Sequence, residues 1–133
     1  MNELSKLITD YYKDKDQDIN DILSDLDKAK IDIVRYFLEN SDDDKVYVIK
    51  RSGNLEEYTR DKIVRSIKNA ADRNSQQLNS SDVNIIMDDV EDSMKDLNRK
   101  VFKTSEVKQF VKTVLKEEGY SQIHDSYDLY IQG

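Results

Sequence analysis

Residues 45–63, KVYVIKRSGNLEEYTRDKI, set the architecture of this chain. Lys45-Val46-Tyr47-Val48-Ile49-Lys50 is rich in β-branched and aromatic residues, the composition of a strand. Arg51-Ser52-Gly53-Asn54 reads as a turn, in which Gly53 is free to take a positive φ. Leu55-Glu56-Glu57-Tyr58 reads as the returning strand. Thr59 is then placed to cap a helix, with Asp61 in its opening turn. A β-hairpin alone is marginal in water, so this one must lie on something.

What it lies on follows in the sequence. Ile63, Val64, Ile67, Ala70 and Ala71 share one helix face. Ser80 or Ser81 is placed to cap a second helix, whose stripe runs from Val83 through Ile86, Met87, Val90 and Met94 to Leu97. Val101-Phe102 is a short apolar pair, expected as a third strand beside the hairpin. Thr104 is placed to cap a third helix, with Glu106 in its first turn and Val107, Phe110, Val111, Val114 and Leu115 facing in. Gly119 suits its C-terminal stop. Ser121 opens the last helix, with Ile123, Tyr127 and Tyr130 inward. The expected fold is α+β and mainly helical: a four-helix bundle lidded by a hairpin and a short third strand.

Upstream lies a region of different character. Leu4, Leu7, Ile8, Tyr11 and Tyr12 form one helical stripe, and Ile19, Ile22, Leu23, Leu26, Ala29, Ile33 and Phe37 form a second. Asp16 or Asp18 is placed to cap the second. Residues 1–44 hold 6 basic and 13 acidic side chains, whereas residues 45–133 hold 15 of each. The net charge of −7 therefore belongs entirely to the first third of the chain. The expected division is an acidic helical extension and linker over 1–44, ending in Ser41-Asp42-Asp43-Asp44, and a charge-balanced domain over 45–133.

Composition removes several functions. There is no cysteine, hence no disulfide, thiolate metal site or cysteine nucleophile. The single histidine, His124, has no second His or Cys near it in sequence and is assigned no metal. The three glycines allow neither GxGxxG nor a Walker A loop. No apolar run approaches the roughly 18 residues of a membrane span. The first residues do not read as a signal peptide, so the cytoplasm is the expected location. The pairs Asp88-Asp89 and Glu117-Glu118 read as solvated helix faces. No basic stripe with interleaved aromatics points to direct nucleic-acid binding.

One cluster carries chemistry. Lys50 and Arg51 sit where the first strand meets its turn, and Lys62 lies in the first turn of the helix that Thr59 opens. Thr104 opens another helix, with Lys103 beside it and Lys108 one turn on. Backbone N–H groups at a helix start lack intrahelical partners, and with cations nearby they suit a phosphate. Two helix starts and a strand end can converge on one polyphosphate.

In this order the residues resemble the ATP-cone domain. The signature reads VIKRSGNLEEYTRDKI at 48–63 and continues with Ser-Asp-Val at 81–83 and Lys-Thr-Ser-Glu-Val at 103–107. Leu115-Lys116-Glu117-Glu118-Gly119-Tyr120 and a tyrosine-rich closing helix complete it, so the likeness covers 45–131. Ser52 stands where the family usually has Asp, and the end of the last helix lacks the family's frequent basic residue. The resemblance implies a regulatory domain that binds ATP or dATP, with Mg²⁺, and controls oligomerisation or a partner's activity. It is best known in ribonucleotide reductases. By position it implies Lys50 and Arg51 at the phosphates, Glu56 and Thr59 at the base, and Lys62 at the sugar or phosphates. It further implies Ile63 as an apolar wall, Thr104 at a phosphate and Val48 flanking the base. The chain has no room for a reductase barrel and no cysteines for a zinc repressor. The expectation is therefore a non-enzymatic, free-standing ATP-cone protein or the N-terminal piece of a longer one. The rival expectation is an acidic protein–protein interaction module or nucleic-acid mimic, carried by the charge of residues 1–44.

Overall fold

The computed structural model describes residues 1–132, with side-chain surroundings through Tyr127; the expected inward Tyr130 lies outside these described side chains. The chain divides into two compact units, residues 1–37 and 38–133.

In the first unit, α1 (Glu3–Lys13) starts at Asn2, whose Oδ1 accepts from Ser5 N at 2.7 Å. Asp18 begins α2 (Ile19–Glu39) by accepting from Asp21 N at 2.9 Å. The Tyr12 hydroxyl donates to Asp25 Oδ2 at 3.2 Å and joins the two helices. Neither helix holds a fully buried residue. Two helices alone have no interior, so stripe residues such as Leu4, Ile33 and Phe37 stay more than half exposed. The half-buried positions of α2 include Ile22, Leu26, Ile31 and Val34; Ile33 and Phe37 are not among them.

The second unit runs β1 (Tyr47–Ile49), β2 (Leu55–Glu57), α3 (Arg60–Arg73), α4 (Ser80–Asp96), β3 (Val101–Lys103), α5 (Thr104–Glu117) and α6 (Ser121–Gln132). The sheet order is β2-β1-β3. β1 pairs antiparallel with β2, Val48 opposite Glu56, and parallel with β3, Val48 opposite Phe102. The hairpin closes through a three-residue loop flanked by Lys50 and Asn54, with Gly53 at φ 89°. That left-handed last position is where glycine costs least. The parallel pairing requires a long crossover, which α3 and α4 supply.

The four helices bury one core between them. Ile67 of α3, Ile86 and Met87 of α4, Leu115 of α5 and Ile123 of α6 are fully covered. Each such side chain contributes about 1.5–3 kcal/mol by leaving water. Phe102 inserts from β3 and ties the sheet to this core. α5 ends in a Schellman motif: Tyr120 N donates to Leu115 O, Gly119 N to Lys116 O, and Gly119 takes φ 85°. Arg99 grips both oxygens of Glu106 at 2.8 and 2.9 Å and lies over the Phe102 ring.

The helix starts differ from the sequence expectation in three places. α4 is capped by Asn79, not by Ser80 or Ser81. Asn79 Oδ1 accepts from Asp82 N at 2.8 Å, and Asp82 reaches back to Asn79 N. Thr59 holds the cap position of α3, but its side chain makes no cap hydrogen bond. Thr104 is the first residue of α5 rather than its cap; Lys103 precedes it, with its backbone N–H bonded to Glu106 at 2.9 Å. The Thr104 hydroxyl instead donates to Ile49 O at 3.2 Å, binding the start of α5 to β1. Leu97, expected inside α4, is its partly exposed C-cap.

Candidate functional site

A cavity of about 310 Å³ opens beside the sheet, between the starts of α3 and α5. That volume lies at the lower end of the usual range for ligand pockets, about 300–1,000 Å³. Strand alternation selects its sheet wall. Val48 and Lys50 of β1 and its extension share a face with Glu56 and Tyr58 of the returning strand, and all four line the cavity, joined at its edge by Glu57. Arg51, the next residue after Lys50, lies exposed in the turn and is not part of the lining.

From α3 and its cap position come Thr59, Lys62, Ile63 and Ser66, which follow one helix face. From α5 come Thr104, Val107 and Lys108. Of the eight residues singled out in the sequence, seven meet around this one cavity: Val48, Lys50, Glu56, Thr59, Lys62, Ile63 and Thr104.

The cavity lining combines charged and apolar side chains. Glu56 stands between two cations, Oε1 2.5 Å from Lys50 Nζ and Oε2 2.8 Å from Lys62 Nζ. The hydrogen bonds from Lys50 first, then Lys62, hold the Glu56 carboxyl below its ordinary range. The rest of the lining includes the apolar side chains of Val48, Ile63 and Val107. Ser66 and Tyr127 line the cavity too, their hydroxyls 3.2 Å apart.

Sequence reasoning passed over Ser66 and took Tyr127 as core only. Ser66 carried a signal, since it lies four residues after Lys62 on the same helix face. Tyr127 carried none, because only the packing of α6 against α3 brings it there.

Of the two carboxylate pairs, Asp88, Asp89 and Glu117 are exposed as expected, with Asp88 paired to Arg60 at 3.0 Å, and Glu118 departs from expectation. Glu118 faces Asp89 across the α4–α5 contact with Oε2 buried, and its carboxyl is pushed up to about 7, chiefly by burial. Among the described residues, no group of three or more His, Asp or Glu side chains is arranged to hold a metal. No described helix is long and apolar enough to cross a membrane.

A cavity lined by lysines, a carboxylate and apolar side chains beside two helix starts has the composition of a binding site for a small organic ligand that carries charge. The family model of the ATP cone domain matches residues 46–132 of the 133-residue chain. The chain belongs to the ATP cone domain family, and this region is a nucleotide-binding regulatory domain. No curated protein matches the chain.

Proposed function

We propose that the protein binds ATP or dATP in the cavity between the hairpin and the starts of α3 and α5, as a regulatory ligand that is not hydrolysed. One observation carries the reading: Lys50, Lys62 and Thr104 gather at a cavity whose walls also include the apolar Val48, Ile63 and Val107. Phosphates would meet the lysines and the N–H groups at the start of α5, and would meet the Thr104 hydroxyl once it gives up its bond to Ile49 O. The base would lie against Val48 and Ile63, with Thr59 at its edge. Glu56 has a place in both halves: by family position it addresses the base, and its carboxylate reaches both lysines. Arg51, exposed in the neighbouring turn, would approach only the outermost phosphate. Mg²⁺ would enter with the nucleotide, held by the phosphates rather than by a protein cage.

Occupancy would favour one packing of the helices, to the extent that the ligand's affinity differs between packings. The output would be self-association or control of a partner protein in the cytoplasm, in keeping with a link to ribonucleotide reductase or nucleotide metabolism. The proposed boundary of this domain is residue 45, with 1–44 as an acidic extension. The test is thermal melting with ATP and with dATP, each with Mg²⁺. Nucleotide at a hundred times its dissociation constant raises stability by about 2.7 kcal/mol. A melting temperature unmoved by saturating nucleotide refutes the reading.

A further inference from the structure

Glu56 is an odd residue to find beside the lysines of a phosphate pocket. Its side chain is 30% exposed, while those of Lys50 and Lys62 are 48% and 62% exposed. The carboxylate is thus the inner partner, and the two ammonium groups reach in toward it. Each oxygen takes one lysine, as two oxygens of a phosphoryl group would. Among the described residues, Glu56 is the acid within ion-pair distance of either lysine. The same two hydrogen bonds keep it ionised, as its lowered pKa reflects.

We infer that Glu56 is the pocket's built-in competitor for phosphate: its carboxylate occupies Lys50 and Lys62 until a polyphosphate displaces it, and so sets the ligand concentration at which the site fills. This inference rests on the proposed nucleotide site and concerns its regulation. Pairing between the lysines and Glu56 divides the affinity of any anion that needs them. The division is largest for ligands that engage both cations together. Once displaced, the carboxylate is free to turn toward the rest of the ligand, so one side chain links phosphate entry to contacts elsewhere in the pocket. A ligand without phosphate leaves the triad closed and feels no such competition.

The test uses the full chain, titrated calorimetrically at fixed ionic strength with inorganic tripolyphosphate and, separately, with adenosine. Glu56→Gln keeps the shape of the side chain and removes its charge. Two exposed ion pairs are lost as competitors, so tripolyphosphate should bind about tenfold more tightly to the variant. Glu56→Ala should show a gain of the same sign, and adenosine should show none. Asp61→Asn removes the same charge from the exposed first turn of α3 and controls for net charge. An equal gain in Asp61→Asn overturns the inference. So does an unchanged or weaker tripolyphosphate affinity in Glu56→Gln, or a failure of both proteins to bind it. ATP titration of the unaltered protein separates the two readings. If ATP binds but the variant gains nothing, the competitor role fails alone. If ATP does not bind but the variant gains, the nucleotide reading fails alone.

Discussion

The Tyr58 hydroxyl donates to Glu91 Oε2 at 2.9 Å, tying the end of the hairpin to α4. Glu91 also accepts from Arg60 Nη1 at 2.6 Å, so the residue before Thr59 and the residue after it share one acceptor. Burial first, then this hydrogen bond, push the Tyr58 phenol far above its ordinary value, and it remains a donor throughout the working pH range. Tyr58→Phe removes the donor and leaves Glu91 still paired with Arg60. The expected loss is about 1 kcal/mol. For a domain of this size that is roughly 4–8 °C in melting temperature. An unchanged melt would mean the bond adds nothing.

In the proposed nucleotide site, Lys62 belongs to the helix that forms one wall of the cavity. Lys62→Ala should weaken ATP binding about tenfold, equivalent to ~1.4 kcal/mol. Lys116, exposed on α5 and outside the cavity lining, serves as the comparison. Lys116→Ala should leave the dissociation constant nearly unchanged at fixed salt. Equal losses in a calorimetric titration would show bulk charge at work rather than a site.

Glu118 predicts a pH dependence of stability. An ordinary glutamate titrates at 4.5, whereas this one is pushed up to about 7, chiefly by burial and then by the neighbouring carboxyl groups of Asp89 and Glu117. Between those values the folded protein binds more protons at this site than the unfolded chain does. Stability from this group therefore falls as pH rises from about 4.5 to about 7, and the loss is complete above that. Glu118→Gln stays neutral, so its melting temperature relative to the unaltered protein should climb from pH 5 to pH 8. A constant difference across melts at those pH values would remove Glu118 as the cause.

The start of α4 distinguishes neighbouring capping residues. Asn79→Ala should cost about 1 kcal/mol, since it removes the acceptor for Asp82 N. Ser80→Ala should change stability by no more than about 0.5 kcal/mol, as for a surface substitution away from a cap. Chemical denaturation of the two variants measures both. Equal costs would mean that the cap is shared.

Self-association under nucleotide control is expected from the proposed regulatory role. The first unit leaves Leu4, Leu7, Tyr11, Ile19 and Phe37 largely exposed, and a second copy is the proposed cover. A specific contact buries about 800 Å² per partner. Light scattering of the full chain should show a species whose population differs between ATP and dATP. A monomer under every condition would end this prediction and leave nucleotide binding untouched.

Much of the second unit could be read without coordinates, because local rules govern it. The stripes Ile63–Ala71 and Val107–Leu115 repeat at helical spacing, and Gly53 and Gly119 stand where the chain must take positive φ. The set Lys50, Thr59, Lys62 and Thr104 was legible because each sits at a strand end or helix start, positions that sequence marks well. The α4 cap was not legible: Ser80 or Ser81 is the sequence expectation, whereas Asn79 holds the position, and all three residue types can cap a helix. The choice follows from the helix register that turns Val83, Ile86 and Met87 inward. Pairings between distant elements were equally hidden. Tyr127 meets Ser66 across 61 positions, and Glu118 meets Asp89 across the contact of two helices. Sequence alone determined the apolar periodicity and the approximate extent of the helices in the second unit, because backbone geometry and solvent act residue by residue. Only the tertiary structure decided that Glu56 stands between Lys50 and Lys62 while Arg51 stays outside, because strand alternation, the turn and the docking of α3 must act together to select the side chains that share one cavity.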